Sequence, residues 1–352
     1  MWYIYTFRRC ALACASLFVT ALSWSANSAY ISRVYEYRPA PGQFTNLMPA
    51  YVEGDDAESM RSKAEETIAE NNRGLISLGA WGGYIVFGFD HPVVNDKGNY
   101  DLLILGNAFY SNPSDPAAGG SAEPGIVMVS YDANGNGLPD DTWYELAGSG
   151  HASATHNYEL TYYKTPSDHV ATPDNDRKYL IDTTHVAWTD NKGHQGHIYQ
   201  LAYHKQPYYP QWLDDEQLVF TGTRLPDNGV YDSERSLYVQ YAFDYGYVDN
   251  HPNDTEAAKL KLDWAVKADG TPANLTAIHF VKVYNGILQQ YGTTGETSTE
   301  IMGAEDLHPD MVTALTDIYT NQQPSKTIRN GQICIIRPDG VFNLTGQKIQ
   351  TR

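Results

Sequence analysis

Cysteine is scarce: only Cys10, Cys14 and Cys334 occur among 352 residues, and the first two lie in an N-terminal segment that reads as an export signal. With that segment removed, Cys334 stands alone and no intrachain disulfide can form. A large core or bound ions must then supply the stability that many exported proteins take from disulfides. Positive charge is scarce as well, with 24 Lys and Arg against 42 Asp and Glu and a net charge of −18. Phosphate backbones and anionic lipids need clustered Lys and Arg, so no nucleic-acid partner is expected. The acidic balance suits a soluble surface protein or one that binds cations. No apolar run beyond the N-terminus approaches about 18 residues, so no membrane insertion is expected. The chain also lacks a GxSxG elbow, an HExxH pair and a nucleotide-binding glycine loop, since "GAWGG" precedes a strand pattern rather than a helix. These absences weaken an enzymatic reading.

The N-terminus has the three parts of a signal peptide. Arg8 and Arg9 precede the apolar run "CALACASLFVTAL", and "SWSANSA" offers small residues for cleavage. The mature chain is expected to start near Ala29 or Tyr30, which removes two positive charges and moves the net charge from −18 to −20. Cys14 follows a loose lipobox, "ALA". The residues after it are still apolar, whereas a lipidated cysteine closes the apolar region, so no lipid anchor is expected.

One stretch reads as a helix. "GDDAESMRSKAEETIAENNRG" (54–74) has acidic residues in its first turn, good helix formers through its middle and Asn-Asn-Arg-Gly to stop it. Met60, Ala64, Ile68 and Ala69 form one narrow apolar stripe, which places the helix on the surface of a larger body. Almost everything else is strand and turn, as in "GLISLGAWGGYIVFGFD", "YDLLILGNAF", "PGIVMVSYD", "YELTYYK", "HIYQLAYH", "LYVQYAFDYGYV" and "IHFVKVYNGIL". Gly, Pro, Asn and Asp punctuate these runs at short intervals, and 27 tyrosines suit strands that pack a ring and leave the hydroxyl at an edge. The expected fold is all-β, a two-sheet jelly-roll-like sandwich with one early surface helix. No repeat of fixed period is present. "TNQQPSKT" (320–327) reads as a polar linker before "IRNGQICIIRPDGVFNLTGQKIQ" (328–350), two or three small strands too short to bury a core. The expected division is a signal peptide at 1–29, a β domain at 30–320, and a linker and tail at 321–352.

The stretch "YDANGNGLPDDTWYELAGS" (131–149) carries the most specific local pattern. Asp132, Asn134, Asn136, the backbone of Leu138, and Asp140 fall at positions 1, 3, 5, 7 and 9 of a calcium loop, with Gly137 at the sixth. Calcium is a hard ion that takes six to eight oxygens, and alternate residues of a tight loop can turn theirs inward. Position 12, where a helix–loop–helix site has its bidentate Glu, is Trp143. The loop therefore departs from that motif and is closer to the truncated "DxNxNGxxDD" loops of thrombospondin-type repeats, with Asp141 as a further ligand. The plain alternative is a hairpin connection with Asn-Gly turn chemistry and no ion. The expectation is a structural Ca2+.

"YHKQPYYPQWLDDE" (203–216) is the expected ligand-binding stretch. Tyr203, Tyr208, Tyr209 and Trp212, held by Pro207 and Pro210, would offer flat faces to a sugar or a planar macrocycle, with Asp214 beside them. The alternative is that these rings pack beneath a loop. Seven of the eleven histidines fall between 151 and 204, and His194, His197 and His204 are close in sequence. In a strand His194 and His197 point to opposite faces, so surface histidines are the simpler reading than a zinc site. Acidic pairs such as Glu296 with Glu300 and Asp244 with Asp249 invite a glycosidase reading, but sequence supplies no separations.

Several stretches together resemble the "cell surface protein" family of Gram-negative gut anaerobes: "YEYRPAPGQF", "LISLGAWGGYIVFGFDHPV", "YDLLILGNAFY", "EPGIVMVSYDANGNGLPDDTWYELAGS", "YYPQW", "GTRLPDNG", "YGYVDNHPN" and "HFVKVYNG…GETSTEIMGAEDL". The likeness runs from about Tyr35 to His308. A more distant one is to exported jelly-roll proteins bearing "DF.VFENAF…EPA.V.VS.DG", where Glu precedes the "NAF" asparagine. Here that residue is Gly106, so no ligand role carries over to it. The tail is similar to the C-terminal sorting segments of the type IX export route, with a terminal hairpin as the alternative. These resemblances imply a secreted or cell-surface location, a jelly-roll core, no established catalytic residues, and nutrient capture of a carbohydrate or corrinoid alongside outer-membrane uptake machinery, including vitamin B12 systems. The fold alone does not choose the ligand. A secreted glycan hydrolase and a purely structural or adhesive surface protein remain the alternatives.

Overall fold

In the computed structural model, strand follows strand with a single α-helix. The structure describes residues 27–311 and the short strands Ser325–Arg329, Gln332–Arg337, Gly340–Asn343 and Lys348–Ile349. Most of the expected export signal and the start of the polar linker lie outside the described residues. The four C-terminal strands form an antiparallel meander in which Arg329 pairs with Gln332 and Arg337 with Gly340. The sequence suggested two or three strands there.

The central element is a six-stranded antiparallel sheet. Its spatial order is Arg33–Arg38, Tyr84–Val94, Ala277–Asn285, Gly125–Ser130, Trp143–Leu146 and Ala265–Val266. Side chains alternate between the faces of a strand, and here both faces are covered. Ile85, Phe87, Val127, Val129, Val281 and Val283 turn to one side and join the main core. Tyr84, Ile126, Met128 and Tyr284 turn to the other. The first face packs on the three-stranded sheet Lys259–Leu260, Leu102–Leu105 and Gly303–Asp306, which supplies Leu102, Leu260, Ile104 and Ala304, and this pair of layers is the expected sandwich.

The helix runs from Ala57 to Ile68, capped by Asp56, whose carboxylate accepts the Ser59 N–H. Met60, Ala64 and Ile68 are buried, as the apolar stripe requires, and left-handed backbone at Glu70, Asn71 and Arg73 ends the run.

The second face of the large sheet meets a four-stranded sheet, Gln195–Leu201, Leu180–Asp190, Thr155–Tyr163 and Gln217–Arg224. Between them lies a second core containing Trp81, Tyr158, Tyr162 and Phe220. The run 74–90 is therefore not one strand. It breaks after Ile76–Ser77 and resumes at Tyr84, because Trp81 must turn into this second core. Gly83 makes that turn feasible: a Cβ there would lie 1.9 Å from the Leu78 carbonyl oxygen. Similarly, only Leu237–Gln240 of "LYVQYAFDYGYV" is strand, in a small sheet with Gly229–Asp232, Gly120–Ser121 and Phe109–Tyr110.

Candidate functional site

The 131–142 loop joins two neighbouring strands of the large sheet, in which Ser130 pairs with Trp143. Its side-chain oxygens turn inward onto its own backbone. Asp132 accepts from the N–H groups of Gly135 (2.7 Å), Asn136 (3.1 Å) and Gly137 (2.9 Å). Asn134 Oδ1 accepts from Asn136 N and Asn136 Oδ1 from Leu138 N, the Asx turns that alternate spacing permits. Asp140 faces the two asparagine amides, each at 3.0 Å, and these donors hold its carboxyl below the ordinary range. Asp141 accepts the Ala133 N–H. Gly135 and Gly137 have φ of +71° and +72°, a left-handed conformation that a side chain would oppose. The loop is exposed, and its acceptors already encircle one short stretch of chain.

The aromatic stretch is divided by the fold. Tyr208 and Tyr209 are buried and border a cavity of about 470 Å3, together with Lys164, His185, Gln200 and Gln211. Asn46 fixes this segment: its amide donates to the carbonyls of Pro207 and Tyr209, and its oxygen accepts Gln211 N–H. Tyr208 hydroxyl accepts from Leu201 N–H, and Tyr209 hydroxyl donates to the Asp215 carbonyl. Trp212 does not reach the cavity. It lies in the main core, near-parallel to Tyr37 and Tyr51 with ring centroids 6.2 and 6.3 Å away, because the chain dives inward after Pro210. Tyr203 stands out at 70 % exposure and Asp214 is exposed, so neither joins the buried tyrosines. A neighbouring cavity of about 410 Å3 shares Lys164, Thr165 and His185 and adds His169 and His197. At this junction His185 Nε2 is buried without a hydrogen-bond partner, while its Nδ1 lies 3.4 Å from Asp182.

His194, His197 and His204 face different partners. His194 Nδ1 bonds Asp190, His204 packs edge-on against Phe44, and the backbone of His197 accepts from Gln290. Two other clusters bring three ligand-type side chains within 4.8 Å among the described residues: Glu145 with His151 and His156, and Glu123 with Asp249 and Glu300. Neither is evident in the sequence as a group.

The acidic cluster includes residues that first read as chance pairs. Asp249 and Glu300 are buried, and Glu123 is half-buried. Asp249 accepts from the N–H groups of Asn107, Ala108 and Glu300, while Ser298 serves both glutamates through its N–H and hydroxyl. Burial first, and mutual repulsion next, push the carboxyls of Glu123 and Glu300 upward; Asp249 is raised by burial. Such a group shares protons rather than carrying full negative charge. Gly106 is the residue that admits it: a Cβ there would lie 2.5 Å from Asp249 Oδ1 and 2.7 Å from its Cα. A side chain at this position would collide with Asp249.

The cleft above Glu145 is the most spacious of those described, about 630 Å3, and is also bordered by Trp143, Lys282 and Tyr284. Burial raises the Glu145 carboxyl and lowers both the Lys282 amine and the His151 imidazole. No family model matches the sequence, and a search among characterised proteins finds no relative.

Proposed function

We propose that this protein is an exported, cell-surface ligand-capture scaffold without catalytic activity of its own. The observation that carries the reading is the cavity beside Tyr208 and Tyr209. It brings Lys164, Gln200 and Gln211 beside the packed Tyr208 and Tyr209 and borders the unpartnered His185 Nε2, with the Lys164 amine and the Gln200 amide donating to the Leu213, Lys205 and Gln206 carbonyls at its edge. Sites of this type bind through apolar contact and take orientation from a few polar groups. The family likeness favours a carbohydrate or a corrinoid, delivered to outer-membrane uptake machinery, and the C-terminal strands fit a sorting tail. In this reading the 132–141 loop holds a structural Ca2+ through Asp132, Asn134, Asn136, Leu138, Asp140 and Asp141, which ties two strands of the large sheet together.

The test is a calorimetric titration with a panel of glycans and corrinoids. Binding by one panel member that weakens in Lys164→Ala and Gln200→Ala but not in Tyr203→Ala supports the assignment. Silence across the panel favours an adhesive or structural surface protein. Turnover of a glycan would replace capture with hydrolysis.

A further inference from the structure

In the 630 Å3 cleft, three short elements that follow one another in the chain meet. Glu145 comes from the strand Trp143–Leu146, His151 from the single turn His151–Ser153, and His156 from the start of the strand Thr155–Tyr163. His151 Nε2 lies 3.7 Å from Glu145 Oε1, and the two imidazole rings are 4.4 Å apart between centroids. That 3.7 Å is too long for a hydrogen bond. It is close to the spacing of two ligands on one tetrahedral ion, about 3.3 Å for bonds of about 2.0–2.1 Å.

The surroundings orient the donors. His156 Nε2 is 3.0 Å from the His151 carbonyl, and by donating there it leaves the lone pair on Nδ1. That nitrogen lies 3.2 Å from Thr223 Oγ1, whose single proton goes to Glu145 Oε2 at 2.6 Å, so Thr223 does not donate to the ring. A second ring nitrogen fixed by a backbone carbonyl, and a carboxylate held by a hydroxyl, are the outer contacts that metal-ligating residues use. Two imidazoles and one carboxylate suit zinc and its neighbours, whereas calcium takes six to eight oxygens.

We propose that Glu145, His151 and His156 bind one divalent transition-metal ion of the zinc class, with an open coordination position facing the cleft. The ion joins the strand carrying Glu145 in the large sheet to the strand carrying His156 in the four-stranded sheet. Trp143, Lys282 and Tyr284 border the space in which a further donor would reach it.

The test strips the full chain with a chelator and titrates Zn2+ by calorimetry, with Co2+ as a visible-absorption probe. One Zn2+ per chain is expected, with Co2+ bands typical of low coordination number. Outer-contact changes alone weaken metal sites about 10–100-fold, so His151→Ala, His156→Ala and Glu145→Gln should each weaken binding about 100-fold or more. His194→Ala should bind as the parent does. His156 is exposed and Glu145→Gln keeps its shape, so these variants retain the fold. Absence of Zn2+ binding in the parent overturns the proposal, and so does binding that survives both His156→Ala and Glu145→Gln.

Discussion

Replacing Glu296 by glutamine should flatten the dependence of stability on pH. Glu296 is 2 % exposed; its Oε1 accepts the Gln43 N–H at 2.5 Å, and its Oε2 has no partner. Burial pushes its carboxyl from an ordinary 4.5 to about 8. Because the folded pKa is the higher one, the native state holds the proton more tightly than the unfolded chain does. The favourable contribution is fully present below about pH 4.5 and is lost as pH rises towards 8. At about 1.4 kcal/mol per tenfold change in proton affinity, the loss between about pH 5 and pH 8 is at most about 4 kcal/mol. For a large domain that corresponds to roughly 10 °C in Tm.

Groups with depressed values do not interfere. Although burial opposes it, hydrogen bonds hold Asp182 and Asp190 down to about 2, so they titrate below this window. His91, where burial opposes charge but Asp306 and Asp90 together favour it more, titrates in both proteins and cancels from the comparison. Urea or thermal unfolding from about pH 5 to 8.5 should therefore show Glu296→Gln gaining on the parent as pH rises. Parallel curves for the two proteins would refute the reasoning.

Asp132→Ala should lower Tm more in calcium than in chelator, where only its contacts to the Gly135, Asn136 and Gly137 N–H groups are lost; an equal loss in the two conditions would remove the ion from the loop. Trp212→Ala should cost about 3–5 kcal/mol by opening the main core, whereas Tyr203→Ala should stay within about 0.5 kcal/mol as an exposed change; urea midpoints distinguish the two. Gly106→Ala should cost about 1–3 kcal/mol because its methyl group has no room beside Asp249, and chemical denaturation measures that loss.

The helix was legible because its signals are local: an Asp cap, a stripe at Met60, Ala64 and Ile68, and a polar stop. The strands of the large sheet were legible for the same reason, since period-two burial is written in runs such as "YIVFGF" and "IHFVKVY". What a strand packs against is not local. Trp212 read as a binding platform because proline-flanked aromatics look alike whether they face solvent or core; only the approach of Tyr37 and Tyr51 decides. Glu145, His151 and His156 were hidden because their meeting depends on a turn at 151–153 and on the pairing of Trp143–Leu146 with Gly125–Ser130. His194, His197 and His204 are the opposite case, close along the chain while facing different neighbours, and strand alternation already argues against a shared ion there.

The acidic character of the chain has two physical origins, and only one was visible in its composition. Most carboxylates are solvated or hold local turns, as Asp132, Asp174 and Asp232 do by accepting backbone N–H groups two to five residues ahead. Glu123, Asp249, Glu296 and Glu300 are different. Glu123 and Asp249 are brought together because Gly125 bridges to Val248, and Glu300 joins them where the strand Glu300–Ile301 pairs with Ile76–Ser77. Burying four full charges would be prohibitive without matching cations, and no Lys or Arg is among the hydrogen-bond partners shown for these side chains. Backbone donors and retained protons take the place of those cations. Burial thus disfavours the charged form of each of these four carboxyls, which lie in loops and two-residue strands rather than in the large sheet.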